Sequence, residues 1–463
     1  MTADKQPITT GGQIGPELPL AGEMNPRVPA GARQLRVLLL AESANPKLYS
    51  VSLIGWSFAR ALSHVADVHL VSELRNREDI LAAGVAGMEF TAINNRRWQG
   101  LAWNIARLLR GGTSLGWSTY SGLATLVYPF YEREVWRVFG SRLKRGEFDL
   151  VHRVTPNAPV TPSLLAKRCA DIGVPFVLGP INGGVPWPKD FTHLRRAERD
   201  WLSPLRGLSR YLPGYTATRR YAAAILVGAR SALAEMPERY HAKCVRLSEN
   251  AIDLDRFPRC APPALAKPLR VAFVGRLVPL KGVDMLIEAA APLVRQGQVN
   301  LDIIGDGPEL PRLKLLCEKL GITGGVEFPG WLDHSQITGR LGRANVLGFP
   351  SVREFGGGVV LEAMALGVVP IVLDHGGPAE LIPPGGGFVL PMGSRASLVH
   401  QFGVTLANLA AAPEQLRVLA RCAQDHVHQH YTWAAKASQV LEVYDWVLGR
   451  RADKPNYSFT PHE

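Results

Sequence analysis

The chain has 463 residues, more than one ordinary hydrophobic core accommodates, so we expect two domains. Hydrophobic residues make up 46% of the chain and charged residues 20%, a balance that excludes disordered and fibrous proteins. The 52 basic and 40 acidic residues leave a net charge of +12, which favours partners that carry phosphate.

Residues 1–33 are polar and rich in proline and glycine, and we expect a disordered tail there. The opening MTADKQPITTGG has no apolar run behind a basic head, so it predicts no secretory signal. No stretch reaches the roughly 18 consecutive apolar residues of a membrane-spanning helix. The five cysteines lie far apart without a C-x-x-C pair, which disfavours disulfides and a zinc site. These features together indicate a protein of the reducing cytoplasm.

Residues 34–257 predict a first α/β domain. It opens with the apolar run LRVLLLA at residues 35–41, which is typical of a buried parallel strand, and a helix follows at 53–64. Further short strands, separated by helical segments, are predicted at residues 68–71, 149–152, 176–179 and 224–227. This alternation predicts a parallel sheet with helices on both faces.

The pattern restarts after residues 258–268, where four prolines in PRCAPPALAKP indicate a linker. The run LRVAFVG at 269–275 repeats the opening strand, and alternation of strands and helices continues to residue 430. The predicted fold class is therefore α/β, with two tandem Rossmann-like doubly wound domains facing across a cleft. Ligands bind outside the carboxyl ends of such strands, so the cleft is the expected site. Neither opening strand is followed by G-x-G-x-x-G, which disfavours nicotinamide and flavin enzymes.

Two cations lie on the loop after the first strand of the second domain, in the run GRLVPLKG. Arg276 can hold a diphosphate by paired hydrogen bonds, and Lys281 can hold it as a point charge. For this loop alone, two solvated surface cations are the simpler interpretation.

Three glycines follow Glu354 and open a helix in the run EFGGGVVLEAMALG. Glycines have no side chain, so a ligand can approach the backbone closely. The unpaired amides at the positive end of the helix favour phosphate. Glu354 precedes this helix and Glu362 lies inside it, so their carboxylates can reach a sugar and ribose hydroxyls on either side of a diphosphate. A glutamate that only favours the helix dipole is the alternative.

Two further turns belong to the candidate site. Residues 374–381 (DHGGPAEL) form a strand-end turn with a short helix, and residues 327–332 (EFPGWL) end a strand. A nucleobase can lie at the second turn, against its backbone or against Trp331. Taken singly, each turn has an equally good structural explanation.

Jointly these motifs resemble the retaining GT-B glycosyltransferases of family 4. The resemblance rests on GRLVPLKG, IIGDGPE, FPGWL, the Glu-x7-Glu element EFGGGVVLEAMALG and the DHGGPAELI turn, in the order and spacing of the family. It is specific over about residues 269–450 and looser in the first domain. The stretch at 431–450 looks like the terminal helix of the family, which crosses back to the first domain, and residues 451–463 form a tail.

The resemblance implies a donor that is a nucleotide-diphosphate sugar, with no metal and no cofactor. It assigns the donor diphosphate to Arg276 and Lys281, with the backbone amides of Gly357, Gly358 and Val359. It assigns the ribose to Glu362 and the transferred sugar to Glu354. A saccharide or lipid-linked acceptor is implied, in the synthesis of cell-surface polysaccharide, lipopolysaccharide or glycolipid.

Members of this family often carry a histidine of the first domain near the reacting sugar. The comparable strand here reads DLVHRVT, with His152 at one of the two usual places and Val154 at the other. His152 is therefore a candidate catalytic residue. The turn at residues 41–52 lacks the glycine pair that the family usually has near the acceptor.

The basic excess is concentrated in the first half of the chain. Residues 94–112 hold four arginines and no acid, and residues 189–230 hold nine basic residues against three acidic ones. Such patches suit binding to an anionic membrane surface. We expect the protein to lie peripherally at the inner face of the membrane and to have no nucleic-acid partner. A solvated basic face is the alternative. For the amphipathic stretch around Trp98 and Trp103, core packing is favoured over membrane contact.

Two other functions remain open. A sugar-nucleotide epimerase or hydrolase on the same scaffold needs acid–base residues around the sugar carbon, and no carboxylate cluster suggests them. A non-catalytic membrane- or nucleic-acid-binding protein, or a degenerate transferase, is disfavoured by the intact Arg276, Lys281, Glu354 and Glu362. His426, His428 and His430 are interpreted as surface histidines, because only two of the three share a helix face and no acidic third ligand is evident.

Overall fold

The computed structural model describes residues 33–85, 87–95, 117–194, 211, 213–265 and 267–457. Several sequence features lie outside these residues: Trp98, Trp103, the arginines Arg96, Arg97, Arg107 and Arg110, part of the 189–230 basic patch, and nearly all of the 1–33 tail.

A parallel sheet of seven strands organises residues 35–257, which we call the N-terminal half. The strands are β1 (Arg36–Ala41), β2 (Asp67–Glu73), β3 (Glu89–Ile93), β4 (Leu150–Thr155), β5 (Phe176–Ile181), β6 (Ala224–Val227) and β7 (Cys244–Arg246). The helices are α1 (Val51–Ser63), α2 (Arg77–Ala83), α3 (Trp117–Lys144), α4 (Leu165–Asp171), α5 (Tyr215–Tyr221) and α6 (Arg230–Ala234). The order β3-β2-β1-β4-β5-β6-β7 places the topological switch point between β1 and β4.

A second parallel sheet, of six strands, organises residues 267–430, the C-terminal half. The strands are β8 (Leu269–Val274), β9 (Val299–Ile304), β10 (Val326–Gly330), β11 (Val346–Phe349), β12 (Val369–Leu373) and β13 (Phe388–Leu390). The helices are α7 (Val283–Arg295), α8 (Leu310–Lys319), α9 (His334–Leu341), α10 (Gly358–Ala365), α11 (Gly377–Glu380), α12 (Arg395–Ala411) and α13 (Gln415–His430). The order β10-β9-β8-β11-β12-β13 places the switch point between β8 and β11.

Apolar strands covered by helices on both faces explain why each sheet is parallel. Val271 and Phe273 of β8 and Val37 and Leu39 of β1 have no exposed surface. Parallel sheets are stable when both faces are covered, since each strand then buries side chains on both sides. The predicted fold class, two Rossmann-like α/β halves, is confirmed by these sheets.

The last long helix of the described chain, α14 (Trp433–Val447), packs on α1 of the N-terminal half. Its Val440, Val443 and Tyr444 are fully buried in the core that contains β1 and β4. Residues 258–265 contain neither helix nor strand. Within the described ranges, no helix has the length and apolar character that crossing a bilayer requires.

Candidate functional site

The loops that follow β8 and β11 meet at the switch point of the second sheet. Residues at the carboxyl ends of adjacent parallel strands lie at one edge of the sheet, and the crevice at a switch point is where such sheets bind ligands. The first loop carries Arg276 and Lys281, and the second carries Glu354 and the three glycines that open α10. The structure therefore brings Arg276, Lys281, Glu354 and the glycine-rich turn to one edge of the sheet.

Backbone contacts between neighbouring loops hold Arg276 in place. The amide of Leu277 donates to the carbonyl of Asp306 over 2.8 Å, and the amide of Glu309 donates back to Leu277 over 3.1 Å. A Cβ atom on Gly307 would overlap the Leu277 carbonyl, so the turn after β9 packs backbone against backbone. The guanidinium of Arg276 is exposed and forms no ion pair with the described residues. It is available for an anion in the crevice.

Lys281 and Glu354 form an ion pair across the two loops. Their side chains are 17% and 20% exposed, and the Lys281 ammonium lies 5.0 Å from the centre of the Phe349 ring. The loop carrying Lys281 is held by a hydrogen bond of 2.9 Å from the Val352 amide to the Leu280 carbonyl. Sequence reasoning assigned these two residues to different parts of a donor, and the structure shows them as direct partners.

The amino end of α10 supplies amides beside this ion pair. Gly357 caps the helix with φ of 65°, a left-handed conformation that favours glycine, and the helix begins at Gly358. The first amides of a helix lack intrahelical acceptors, so those of Gly358 and Val359 suit an anion. Val360 already donates to the Gly357 carbonyl over 2.9 Å.

Glu362 lies one turn into α10 and is partly buried. Burial raises the pKa of its carboxyl to about 7, and the positive charge of Arg256 opposes that rise. A carboxyl of this kind changes charge near neutral pH, and its ionised form is an acceptor for hydroxyl groups.

Trp331 follows β10 and is 60% exposed. Its ring makes an edge-to-face contact, 6.0 Å between ring centres, with Tyr49 of the loop between β1 and α1. Tyr49 is 51% exposed, so the pair spans the two halves with both rings accessible to a ligand. Sequence reasoning identified Trp331 alone.

His152 does not join this group. It is fully buried on β4, where its Nδ1 and Nε2 atoms lie 2.6 Å from the Tyr444 hydroxyl and the Gly179 carbonyl oxygen, respectively. Burial lowers the pKa of the imidazole to about 3. With both ring nitrogens engaged, His152 ties α14 to the first sheet. Its catalytic role stays a prediction from the sequence.

The N-terminal half contributes contacts that sequence reasoning missed. The buried Arg353 donates from Nε to the Val185 carbonyl over 2.9 Å, and its guanidinium lies 4.8 Å from the centre of the Trp187 ring. His375 Nε2 lies 2.9 Å from the Pro186 carbonyl oxygen. The signal available in the sequence was the run NGGVPW, whose two glycines and one proline indicate an ordered turn.

Glu380 adds a charged contact between the halves. Its carboxylate accepts from the Arg230 amide over 2.9 Å and from Arg246 Nη2 over 2.9 Å. Burial raises the pKa of this carboxyl, and the two arginines oppose the rise. The DHGGPAEL turn is therefore anchored on α6 and β7.

The three histidines of α13 are partly buried, which corrects the surface assignment. His426 and His430 make an edge-to-face contact with 5.1 Å between ring centres, and burial lowers the pKa of each of the three. Among the described residues, no three histidine, cysteine, aspartate or glutamate side chains are grouped as metal ligands.

The C-terminal half of the chain is similar in sequence to a known family. A family model described as Glycosyl transferases group 1 matches residues 261–408, which contain all the site residues of the C-terminal half. D-inositol 3-phosphate glycosyltransferase 2 of Catenulispora acidiphila is 30% identical over 211 residues, covering 42% of this chain and 48% of that protein. The chain thus aligns with less than half the length of this curated relative.

Two solved structures share the architecture over most of the chain. Anabaena Alr3699/HepE in complex with UDP and glucose has a TM-score of 0.55 and 18% identity, covering 88% of this chain and 99% of that chain. The lipopolysaccharide outer core galactosyltransferase WaaB, in its apo form, has a TM-score of 0.58 and 15% identity, covering 89% and 99%. The chain has the GT-B fold, two Rossmann-like domains.

Proposed function

We propose that the protein is a glycosyltransferase that moves a sugar from a nucleotide-diphosphate sugar to an acceptor. The observation that carries the proposal is the placement of Arg276, the Lys281–Glu354 ion pair and the amino end of α10 at one switch point. A diphosphate, a sugar and a ribose need this combination of cations, amides and carboxylates.

In this proposal the diphosphate lies between Arg276, Lys281 and the amides of Gly357, Gly358 and Val359. The cations and amides stabilise the charge that develops on the leaving nucleoside diphosphate as the glycosidic bond to it breaks. Because this positive field is already present in the chain, the proposed reaction requires no metal ion and no cofactor.

The two carboxylates act on either side of the diphosphate. Glu362 accepts hydrogen bonds from the ribose hydroxyls, and Glu354 holds the sugar that is transferred. A phosphate that binds Lys281 competes with the Glu354 carboxylate for the lysine ammonium. The carboxylate then becomes available to accept hydrogen bonds from sugar hydroxyls. Donor binding therefore rearranges the ion pair, and the nucleobase lies near Trp331.

We infer a retaining reaction from the resemblance to family 4. The acceptor is a saccharide or a lipid-linked saccharide, as in the synthesis of cell-surface polysaccharide, lipopolysaccharide or glycolipid. The shared fold of a lipopolysaccharide galactosyltransferase supports this class. The excess of basic residues in the first half of the chain suits an acceptor held at the anionic, cytoplasmic face of a membrane.

The test is incubation with UDP-, GDP- and ADP-sugars, with and without saccharide and lipid-linked acceptors. A transferase releases nucleoside diphosphate and forms a glycosylated product when an acceptor is present. A hydrolase releases nucleoside diphosphate without an acceptor, and adding an acceptor does not increase that release. An epimerase isomerises the donor and releases no nucleoside diphosphate. A protein that binds none of these donors contradicts the proposal.

A further inference from the structure

A buried carboxylate from the N-terminal half lies directly against the glycine-rich turn. Glu249 follows β7 in the run SENAID and is 5% exposed. Its Oε1 accepts a hydrogen bond of 2.5 Å from Asn182 Nδ2, in the loop after β5. Neither Glu249 nor Asn182 takes part in the proposed binding of the donor.

Two glycines, one from each half, make room for this carboxylate. A Cβ atom on Gly356 would overlap Glu249 Oε1 and Asn250 Nδ2, and a Cβ atom on Gly228 would lie 2.5 Å from Glu249 Oε2. Neither glycine has the positive φ that favours glycine for backbone reasons. The requirement for glycine at position 356 therefore comes from side chains of the other half.

The charge of Glu249 is set by groups from several elements. Burial raises the pKa of its carboxyl, while Asn182 and the ammonium of Lys436 favour the ionised form and Glu354 opposes it. Lys436, on α14, is 2% exposed, and burial lowers the pKa of its ammonium to about 7. Two buried groups of opposite charge stabilise each other, so removal of either one is costly to the fold.

We propose that Glu249 is a positioning residue, which through its packing against Gly356 and its hydrogen bond from Asn182 sets the glycine-rich turn against the N-terminal half. Glu354 lies two residues before Gly356, and α10 begins two residues after it. A shift of the turn therefore moves both the sugar-side carboxylate and the amides that face the diphosphate. The test by kcat rests on the proposed function, because it needs sugar transfer. The test by nucleotide binding does not need it.

The kinetic experiment compares Glu249→Ala, Glu249→Gln and Lys436→Met in the full chain. Glutamine keeps the shape and the acceptor for Asn182, so Glu249→Gln retains kcat within about threefold, while Glu249→Ala lowers kcat by about tenfold to a hundredfold, as misplacement of a reacting group does. All three variants have a lower Tm, because each leaves a buried group without its partner. Glu132→Gln is the matched control, since this buried carboxyl contacts Ser163, Leu164 and Leu165 within the N-terminal half.

The binding experiment uses calorimetry with UDP and GDP and needs no transfer activity. Gly356→Ala weakens binding of the better nucleotide at least fivefold. The loss is smaller, though not abolished, when Gly356→Ala is made in Glu249→Ala, because one of the two obstructing groups, the Glu249 carboxylate, is gone while the Asn250 amide remains. If the wild type binds a nucleotide but transfers no sugar, the proposed function fails and this coupling still decides the inference. The inference is overturned if Gly356→Ala binds like the wild type, if the two substitutions are additive, or if kcat in the kinetic series follows Tm instead of side-chain shape.

Discussion

The ammonium of Lys281 is paired with the carboxylate of Glu354, although 73 residues separate them in the chain. The pair joins the loop after β8 to the loop after β11 at the switch point of the second sheet. In the proposed function a donor diphosphate competes with Glu354 for this lysine, so the two residues are coupled in donor binding.

Lys281→Ala removes a charge-assisted contact worth about 1.5–3 kcal/mol, so we expect UDP or GDP affinity to fall by roughly 10- to 150-fold. It also leaves the negative charge of Glu354 facing the phosphates without its counter-ion. The double variant Lys281→Ala/Glu354→Gln should therefore bind more tightly than Lys281→Ala alone. Calorimetry on the four proteins of this cycle measures the coupling.

Arg276→Ala serves as the comparison in the same series. Arg276 forms no ion pair with described residues, so its loss should weaken nucleotide binding to a similar extent, without any rescue by Glu354→Gln. Unchanged affinity in both Arg276→Ala and Lys281→Ala would remove the diphosphate assignment.

Donor binding should strengthen with pH through Glu362. Burial raises the pKa of this carboxyl to about 7, so it is mainly protonated at pH 6 and mainly ionised at pH 8. Because the ionised form accepts hydrogen bonds from ribose hydroxyls, affinity for a nucleotide sugar should rise across this window and should change little in Glu362→Gln. A nucleotide sugar is the suitable probe, since it lacks the terminal phosphate that titrates near pH 6.

Glu354→Gln should behave differently from Glu362→Gln. We expect Glu354→Gln to lower kcat while bare UDP or GDP still binds, whereas Glu362→Gln weakens nucleotide and nucleotide sugar alike. Equal losses of bare-nucleotide affinity in the two variants would contradict the separate roles.

Activity should survive an excess of EDTA, because Arg276, Lys281 and the α10 amides supply the positive field at the leaving group. The measurement is the rate of nucleoside diphosphate release before and after chelation. Loss of turnover that magnesium or manganese restores would overturn the metal-independent mechanism.

The buried contact between His152 and Tyr444 should contribute to stability. Tyr444→Phe leaves one ring nitrogen of a fully buried histidine unpaired, which costs about 1–3 kcal/mol and lowers Tm, with little effect on nucleotide affinity. A loss of kcat in Tyr444→Phe or His152→Gln without a loss of stability would instead support the predicted catalytic role of His152.

The same histidine makes stability depend on acid. Its folded-state pKa of about 3 lies below the ordinary value of 6.5, so the unfolded chain binds the extra proton first as the pH falls. Stability from this group is complete above pH 6.5 and decreases below it, by about 1.4 kcal/mol for each pH unit. Urea midpoints at pH 7 and pH 5 should therefore differ less in His152→Gln than in the wild type.

Anionic vesicles should bind the protein at low salt and release it as salt is added, because the attraction fades within a Debye length of about 8–10 Å. Each basic residue near the lipid contributes on the order of 1 kcal/mol. Replacing Arg96, Arg97, Arg107 and Arg110 by glutamine should weaken co-sedimentation, while neutral vesicles serve as the control. No binding to anionic vesicles at low salt would favour a soluble acceptor.

The sequence by itself determined the two-sheet architecture and the edge of the second sheet at which the candidate site residues lie. Apolar runs of strand length alternating with helical segments report local burial, and parallel strands bring the loops at their carboxyl ends to one edge. Strand β6 was predicted at its observed bounds, Ala224–Val227. The strands β3, β7 and β13 were missed. β7 and β13 have only three residues each, and β3 (EFTAI) lacks the continuous apolar run that made the four-residue β6 recognisable.

Only the tertiary structure decided which side chains are partners. His152 has the same sequence context as a site residue, yet α14 covers it and supplies Tyr444 from 292 residues away. Glu249 lies in a run to which the sequence assigns no site residue, yet its carboxylate fills the space that Gly356 leaves open. The exposure, charge and partners of a side chain depend on the elements packed around it, and a local pattern carries no information about elements that are distant in the chain.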